Sequence, residues 1–270
     1  MLIPLAIDLA YGHADWRAFA IGSTVSFLLG AIMARWFRCD LKSGLNLRQA
    51  FLLTPLSWLC VASVGTIPLY FSEFGIVSGS LTNAFFESMS GLTTTGSTVI
   101  TKLDEAPPGL LLWRALLQWM GGIGIIAVAI AVLPALGIGG MQLFRTESSD
   151  RSEKAMPRVR QIAKGIGLVY ILLTLAAGLS YWAAGMTLFE AVAHALTTIS
   201  TGGYSTSDNS FGNWNANGIQ WISALFMLSG GIPFVLYVRF LAGDRRALWD
   251  NQVKTLLGLL AIVIAGLTLW

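Results

Sequence analysis

The sequence predicts an all-α polytopic membrane protein made of parallel repeats: a spanning helix, a short re-entrant helix with a polar run after it, and a second spanning helix. Three observations carry this. The 270 residues are 55% hydrophobic and only 11% charged, with a mean hydropathy of +0.68, far from the balance of an ordinary globular domain. Several apolar stretches reach the ~20 residues that a helix needs to cross a bilayer. Finally, the polar run Ser90-Gly91-Leu92-Thr93-Thr94-Thr95-Gly96-Ser97-Thr98 returns as Thr197-Thr198-Ile199-Ser200-Thr201-Gly202-Gly203-Tyr204-Ser205, without a gap, at an offset of 107 that places Gly96 on Gly203. A second match, Gly121-Gly122-Ile123 with Gly230-Gly231-Ile232, sits at an offset of 109 and implies a slightly longer loop in the second copy. Such internal repetition fixes the architecture before any single segment does.

Residues 1–15 read as the tail of an apolar helix, with Asp8, His13 and Asp15 marking its polar exit, and the abrupt start suggests missing sequence upstream. Residues 17–36 form the first full span, closed by Arg35, Arg38, Lys42 and Arg48. A second covers about 50–71; its Pro55 and Pro68 are tolerable where neighbours satisfy the freed carbonyls. Residues 81–92 are too few to cross, and Asn83 or Thr82 can cap their N-terminus. Beyond the first polar run, Pro107-Pro108 suits the start of a long helix over about 109–136, because N–H groups missing there leave no bond unmade. Gly137-Ile138-Gly139-Gly140 ends it, and a charged, solvated connector follows over 145–164.

The order then recurs: a span over about 166–184, a short segment over 187–199, the second polar run, a loop rich in Asn and Ser, and a helix over about 219–241 in which Pro233 predicts a kink. Residues 253–270 open a third copy. The expected units are leading helices over 1–46, a first repeat over 47–144, a second over 145–250, and the start of a truncated third over 251–270.

Loops 35–48, 145–164 and 239–254 hold four, six and four Lys or Arg, so 14 of the 17 basic residues share one face; Arg17, Lys102 and Arg114 are the others. The positive-inside rule makes that face cytoplasmic and brings both short segments in from outside. Each unit crosses twice, so the copies run parallel, unlike inverted-repeat transporters. A net charge of +3 offers no nucleic-acid patch. Cys39 and Cys60 read as two free thiols, no basic n-region of a cleavable signal precedes the apolar start, and no catalytic triad or metal cluster points to an enzyme.

Irregular backbone at membrane depth is allowed only when buried in protein or lining a wet cavity. The C-terminal end of a short helix carries roughly half a negative charge, which favours a cation. An extended strand beyond it can aim carbonyl oxygens at a dehydrated ion, and glycine permits the backbone angles that align them. The polar runs hold no carboxylate, which favours a monovalent over a divalent cation.

Repeated hairpins of span, pore helix, filter and span, with Thr-Thr-Thr-Gly-Ser in one copy and Ser-Thr-Gly-Gly-Tyr-Ser-Thr in the next, resemble the membrane subunit of the Trk/Ktr/HKT superfamily of potassium transporters, most closely its bacterial Trk branch. The resemblance covers nearly the whole chain. It implies that Gly96 and Gly203 are filter glycines, with Thr93, Thr94, Thr95 and Ser97 in one copy, and Ser200, Thr201, Gly202 and Tyr204 in the other, offering oxygens to K+ or shaping the strand. In plant relatives a serine at the first filter glycine accompanies sodium preference, so glycine at 96 leans towards potassium. The resemblance further implies a multi-pass protein of the bacterial inner membrane, a homodimer in the lipid bilayer, a cytosolic nucleotide-binding regulatory subunit docking near 145–164, and no organic cofactor. Family members carry four such units, so this chain reads as a partial transporter or as one of two half-length chains that assemble. Channel-like flow and symport with protons or sodium both stay open. So do a non-conducting pore-like scaffold and a secondary transporter of another solute.

Single residues carry narrower expectations. Glu87 and His194 hold equivalent places in the short helices and read as hydrogen-bonding anchors, with proton coupling the minority alternative. Hydroxyls of the Thr runs have a plainer option, bonding back to the i−4 carbonyl. Gly121-Gly122-Ile123-Gly124 reads as close helix packing, Arg114 as an interfacial snorkel, and Trp16, Trp36 and Trp113 as interfacial anchors.

Overall fold

The computed structural model describes residues 1–36, 47–136, 155–214 and 217–269, and among these it is all helix and loop, without a strand. The helices are α1 (Leu2–Tyr11), α2 (Trp16–Trp36), α3 (Leu47–Phe71), α4 (Leu81–Leu92), α5 (Pro108–Leu136), α6 (Ala155–Ala183), α7 (Leu188–Ile199), α8 (Asn217–Gly231), α9 (Phe234–Leu241) and α10 (Asn251–Leu269). Three are long and apolar enough to cross a membrane by themselves within 16–36, 161–183 and 251–269. At 1.5 Å per residue, α3 and α5 run to roughly 37 and 43 Å, also more than a hydrocarbon core requires. The surface agrees: Phe27 is 76% exposed, Ile262 70% and Trp221 76%, contacts that only lipid or further protein can satisfy.

The short helices fall where the sequence puts them. Each packs between its flanking spans, α4 against α3 and α5, and α7 against α6 and α8, with α7 also reaching α5. Ser80, not Asn83 or Thr82, caps α4, its hydroxyl accepting from the Asn83 N–H at 3.4 Å. Asn83 lies one turn too deep and instead donates through Nδ2 to the Ile76 carbonyl. In α7, Thr187 and Glu190 form a reciprocal capping box.

The kink expected at Pro233 is present as a full break, and three further expectations need correction. The second long helix of the second unit is two helices, α8 and α9, bent by 86°. Pro233 lacks the N–H that would continue the ladder and stands at the N-cap of α9. The connector over 145–164 is helical from Ala155, because Pro157 sits in the first turn of α6, where its lack of an N–H leaves no helical bond unmade, and good helix formers follow; residues 145–154, like Cys39 and 137–140, lie outside the described residues. Asp8 is fully buried, not a polar exit: its Oδ1 accepts from the Gly109 N–H at the start of α5, 2.6 Å away. Trp113 is no interfacial anchor. It is 5% exposed, donates to the Gly65 carbonyl at 3.0 Å and packs edge-on against Phe19.

Glycine sets how closely the second span of each unit approaches its own short helix. A Cβ built at Gly121 would overlap the Leu92 carbonyl, and one at the equivalent Gly230 would lie 2.8 Å from the Ile199 carbonyl. Gly122 meets the other unit instead, its Cβ position 3.0 Å from that of Ser200. This is the small-residue packing expected at Gly121 and Gly122.

Candidate functional site

Both polar runs leave their short helix by the same backbone path. Thr94 and Thr201 take left-handed φ values of 55° and 54°, and Gly96 and Gly203 take 80° and 84°. The turn bonds match as well: the Thr95 N–H donates to the Ser90 carbonyl and the Gly202 N–H to the Thr197 carbonyl, at 3.0 and 2.9 Å. A left-handed residue costs an L side chain about 1–2 kcal/mol, so two at one offset in both copies mark a built conformation.

The two strands touch. A Cβ at Gly96 would overlap the carbonyl oxygen of Gly202, so glycine at 96 is required by the close approach as well as by φ. Around Gly203 there is open space. Thr93, Thr95 and Ser97 are exposed beside Gly96, as are Thr201 and Gly203 in the second copy, whereas Ser200, Gly202 and Tyr204 are buried. The plainer option holds for Thr93, whose hydroxyl donates to the Met89 carbonyl at 2.8 Å and also meets Thr95 Oγ1 at 2.7 Å. The Ser200 hydroxyl donates to the Thr197 carbonyl at 3.1 Å. The Ser97 carbonyl accepts from Ser90 Oγ at 2.6 Å and from the Tyr204 hydroxyl at 3.3 Å.

Behind the strands lie the two expected anchors. Glu87, wholly buried, accepts from Thr98 Oγ1 at 2.8 Å and from the Val99 N–H at 3.0 Å, tying α4 to the far end of its polar run. His194, 1% exposed, makes the equivalent tie: Nε2 lies 3.1 Å from Ser205 Oγ, one offset of 107 beyond Thr98, and Nδ1 lies 2.8 Å from the Glu190 carbonyl. A carbonyl can only accept, so Nδ1 carries a proton.

Arg114 does not snorkel. It is 1% exposed, and its Nε pairs with Glu87 Oε1 at 2.8 Å. Its Nη2 donates to Thr98 Oγ1 at 3.0 Å and its Nη1 to the Ser205 carbonyl at 3.3 Å. With a carboxylate at the same depth, pairing outcompetes a reach to the interface. Its guanidinium carbon stands 4.1 Å from the ring centre of Tyr204, a cation–π contact. One turn on, Gln118 Oε1 accepts from the Tyr204 N–H at 3.1 Å. The sequence reading missed Gln118 and the second-unit partners of Arg114; the available signal was two polar residues at i and i+4 on an otherwise apolar helix.

The chain spans about half the length of the curated relatives it matches. The Trk system potassium uptake protein TrkI of Halomonas elongata is 45% identical over 273 residues, covering 100% of this chain and 54% of that protein. The Trk system potassium uptake protein TrkH of Escherichia coli strain K12 is 40% identical over 276 residues, 100% of this chain and 56% of that one. A crystal structure of the potassium transporter TrkH from Vibrio parahaemolyticus superimposes with a TM-score of 0.81 at 34% identity, over 95% of this chain and 52% of that one. The family described as TrkH, cation transport protein, matches residues 16–263. A multi-pass helical chain with two re-entrant runs of one geometry, matched over nearly its whole length in sequence and structure, belongs to the TrkH family of cation transport proteins.

Proposed function

We propose that this chain supplies two of the walls of a potassium uptake pathway, in which the two polar runs act as filter segments and pass a partly dehydrated K+ along backbone carbonyls. The observation that carries the reading is the repeated left-handed pair, Thr94 with Gly96 and Thr201 with Gly203, at the buried C-terminal ends of the two short helices. Those helix ends favour a cation, and left-handed turns let carbonyls converge on one side of a strand. The names of the relatives support potassium as the ion. Thr93, Thr94, Thr95, Gly96 and Ser97 would contribute from the first unit and Ser200, Thr201, Gly202 and Gly203 from the second, while Tyr204 shapes its strand from behind. Glu87 and His194 hold the short helices in place.

In this reading the units run over 47–144 and 145–250, the basic loops face the cytoplasm across a bacterial inner membrane, and the transporter works as a homodimer controlled by a cytosolic nucleotide-binding subunit. The test is uptake by potassium-uptake-deficient cells expressing the full open reading frame. Gly96→Ser is expected to lower rubidium uptake relative to sodium, since its side chain must displace the Gly202 carbonyl. An unchanged ratio with normal membrane insertion would sink the filter assignment.

A further inference from the structure

Tyr204 belongs to the second polar run, yet its ties cross to the first unit. Its N–H donates to Gln118 Oε1 on α5 at 3.1 Å. Its hydroxyl donates to the Glu87 carbonyl on α4 at 3.0 Å and to the Ser97 carbonyl at 3.3 Å. Its ring lies under the Arg114 guanidinium, which also donates to the next carbonyl, that of Ser205. One residue of the second strand is thus held at its backbone, ring and hydroxyl by α4, α5 and the first strand.

The neighbouring glycines are fitted to the same group. A Cβ at Gly202 would overlap the Gln118 amide, and the Gln118 Nε2 lies 3.6 Å from where a Cβ at Gly96 would stand. Gln118 is wholly buried, and that Nε2 has no hydrogen-bond partner among the described residues. A buried donor left unpaired is unfavourable, so a position evolved for packing alone would favour an apolar side chain. The amide stays in place through its other end, Oε1, on the Tyr204 N–H.

The second unit repeats none of this. At the offset of 109, Arg114 corresponds to Ser223 and Gln118 to Met227. The Ser223 hydroxyl donates within its own helix to the Gln220 carbonyl, and Met227 is 38% exposed.

We infer that Arg114 and Gln118 form a cross-unit brace acting through Tyr204, and that by fixing the separation of the Gly96 and Gly202 backbones they set how sharply the filter distinguishes potassium from sodium. The inference rests on the filter reading above. Both residues are positioning residues, since neither lies on the exposed side of the strands. A ring of carbonyls discriminates between ions by its size and rigidity as well as its dipoles. Loosening one strand relative to the next therefore weakens selectivity before it abolishes flux.

The experiment measures rubidium and sodium uptake by potassium-uptake-deficient cells carrying the full open reading frame, each normalised to membrane-inserted protein. Gln118→Leu removes the acceptor for the Tyr204 N–H, and Tyr204→Phe removes the hydroxyl while keeping the ring under Arg114. Each is expected to lower the rubidium-to-sodium ratio about fivefold, the equivalent of one ordinary hydrogen bond. Gln118→Glu keeps the acceptor oxygen and should recover part of the ratio, whereas Ser223→Ala, at the corresponding place in the second unit, should leave it unchanged. A purely structural role would lower protein amount and both fluxes together, with no change in ratio, and that result overturns the brace. Should Gln118→Leu fail to insert, Tyr204→Phe decides alone, because it deletes one oxygen and no packing. Gly96→Ser run in parallel separates the failures: if it too leaves the ratio unchanged, the filter reading falls, and if it alone changes the ratio, only the brace does.

Discussion

The two units share a backbone and differ in the chemistry that holds it. In the first, the short helix is tied down by a carboxylate, Glu87, wholly buried and paired with Arg114 from the following span. In the second, the equivalent residue is His194, which bonds Ser205 and the Glu190 carbonyl and lies among aromatic rings, 5.1 Å from Phe211 and 4.9 Å from Trp214 between centres. One unit ties its short helix to its polar run through a carboxylate that an arginine of the next span neutralises, the other through a histidine, a hydroxyl and packing. The left-handed residues nonetheless coincide to within a few degrees. What the repeat preserves is the path of the strand, not the groups behind it.

That difference predicts unequal damage. Arg114→Ala leaves the Glu87 carboxylate buried without its cation, which should cost about 3–5 kcal/mol. His194→Ala deletes neutral hydrogen bonds and should cost about 1–3 kcal/mol. Thermal unfolding of the two purified variants in detergent would show the arginine variant falling well below the histidine one. Equal losses would mean that Glu87 and Arg114 gain little from being charged. His194→Gln should retain the bond to Ser205 and normal flux; a large loss of flux in an intact, inserted protein would instead favour proton coupling at His194.

Much of the site is legible in the sequence because it is local or periodic. The 107-residue offset identifies Gly96 with Gly203, and it also pairs Thr94 with Thr201, which the structure shows to share a left-handed backbone. The limits of α4 follow from an apolar run too short to span. What escapes a linear reading is contact between units. That Arg114 lies over Tyr204, 90 positions away, depends on how α5 rotates and how deeply α7 inserts, which only packing decides. Trp113 and Asp8 escape a linear reading for the same reason, since residue type suggests an interface while the neighbours supply a buried partner. Pro233 does signal a break, and the structure gives its size, an 86° turn between α8 and α9.

A subtler comparison uses Gly96 and Gly203, the glycines proposed for the filter. Gly96→Ala meets two obstacles, a left-handed φ of 80° and the Gly202 carbonyl, whereas Gly203→Ala meets only its φ of 84°. The second substitution should therefore cost about 1–2 kcal/mol of backbone strain with a modest change in the rubidium-to-sodium ratio, and the first should also displace a strand of the other unit and change the ratio more. If the two alanine variants behaved alike, backbone angle alone would govern the filter and the close approach would carry no selectivity.

The smallest effect is expected at the edge of the second unit, where an arginine–carboxylate pair occurs again under opposite conditions. Arg239 Nη2 lies 2.6 Å from Asp244 Oδ2, a shorter contact than Arg114 makes with Glu87, but the two side chains are 47% and 40% exposed. The hydrogen bond from Arg239 holds the Asp244 carboxyl below the usual carboxylate range. Because the folded value is the depressed one, any stabilisation is present above the ordinary range of an aspartate and is lost as pH falls through the lower folded value. Water screens such a pair and its long side chains give up entropy to form it. Asp244→Asn should thus leave the unfolding temperature at neutral pH unchanged within error, while Glu87→Gln lowers it by many degrees. A clear loss in Asp244→Asn would show that distance, not burial, decides what these pairs contribute, and the contrast drawn between the two units would have to be rebuilt on geometry alone.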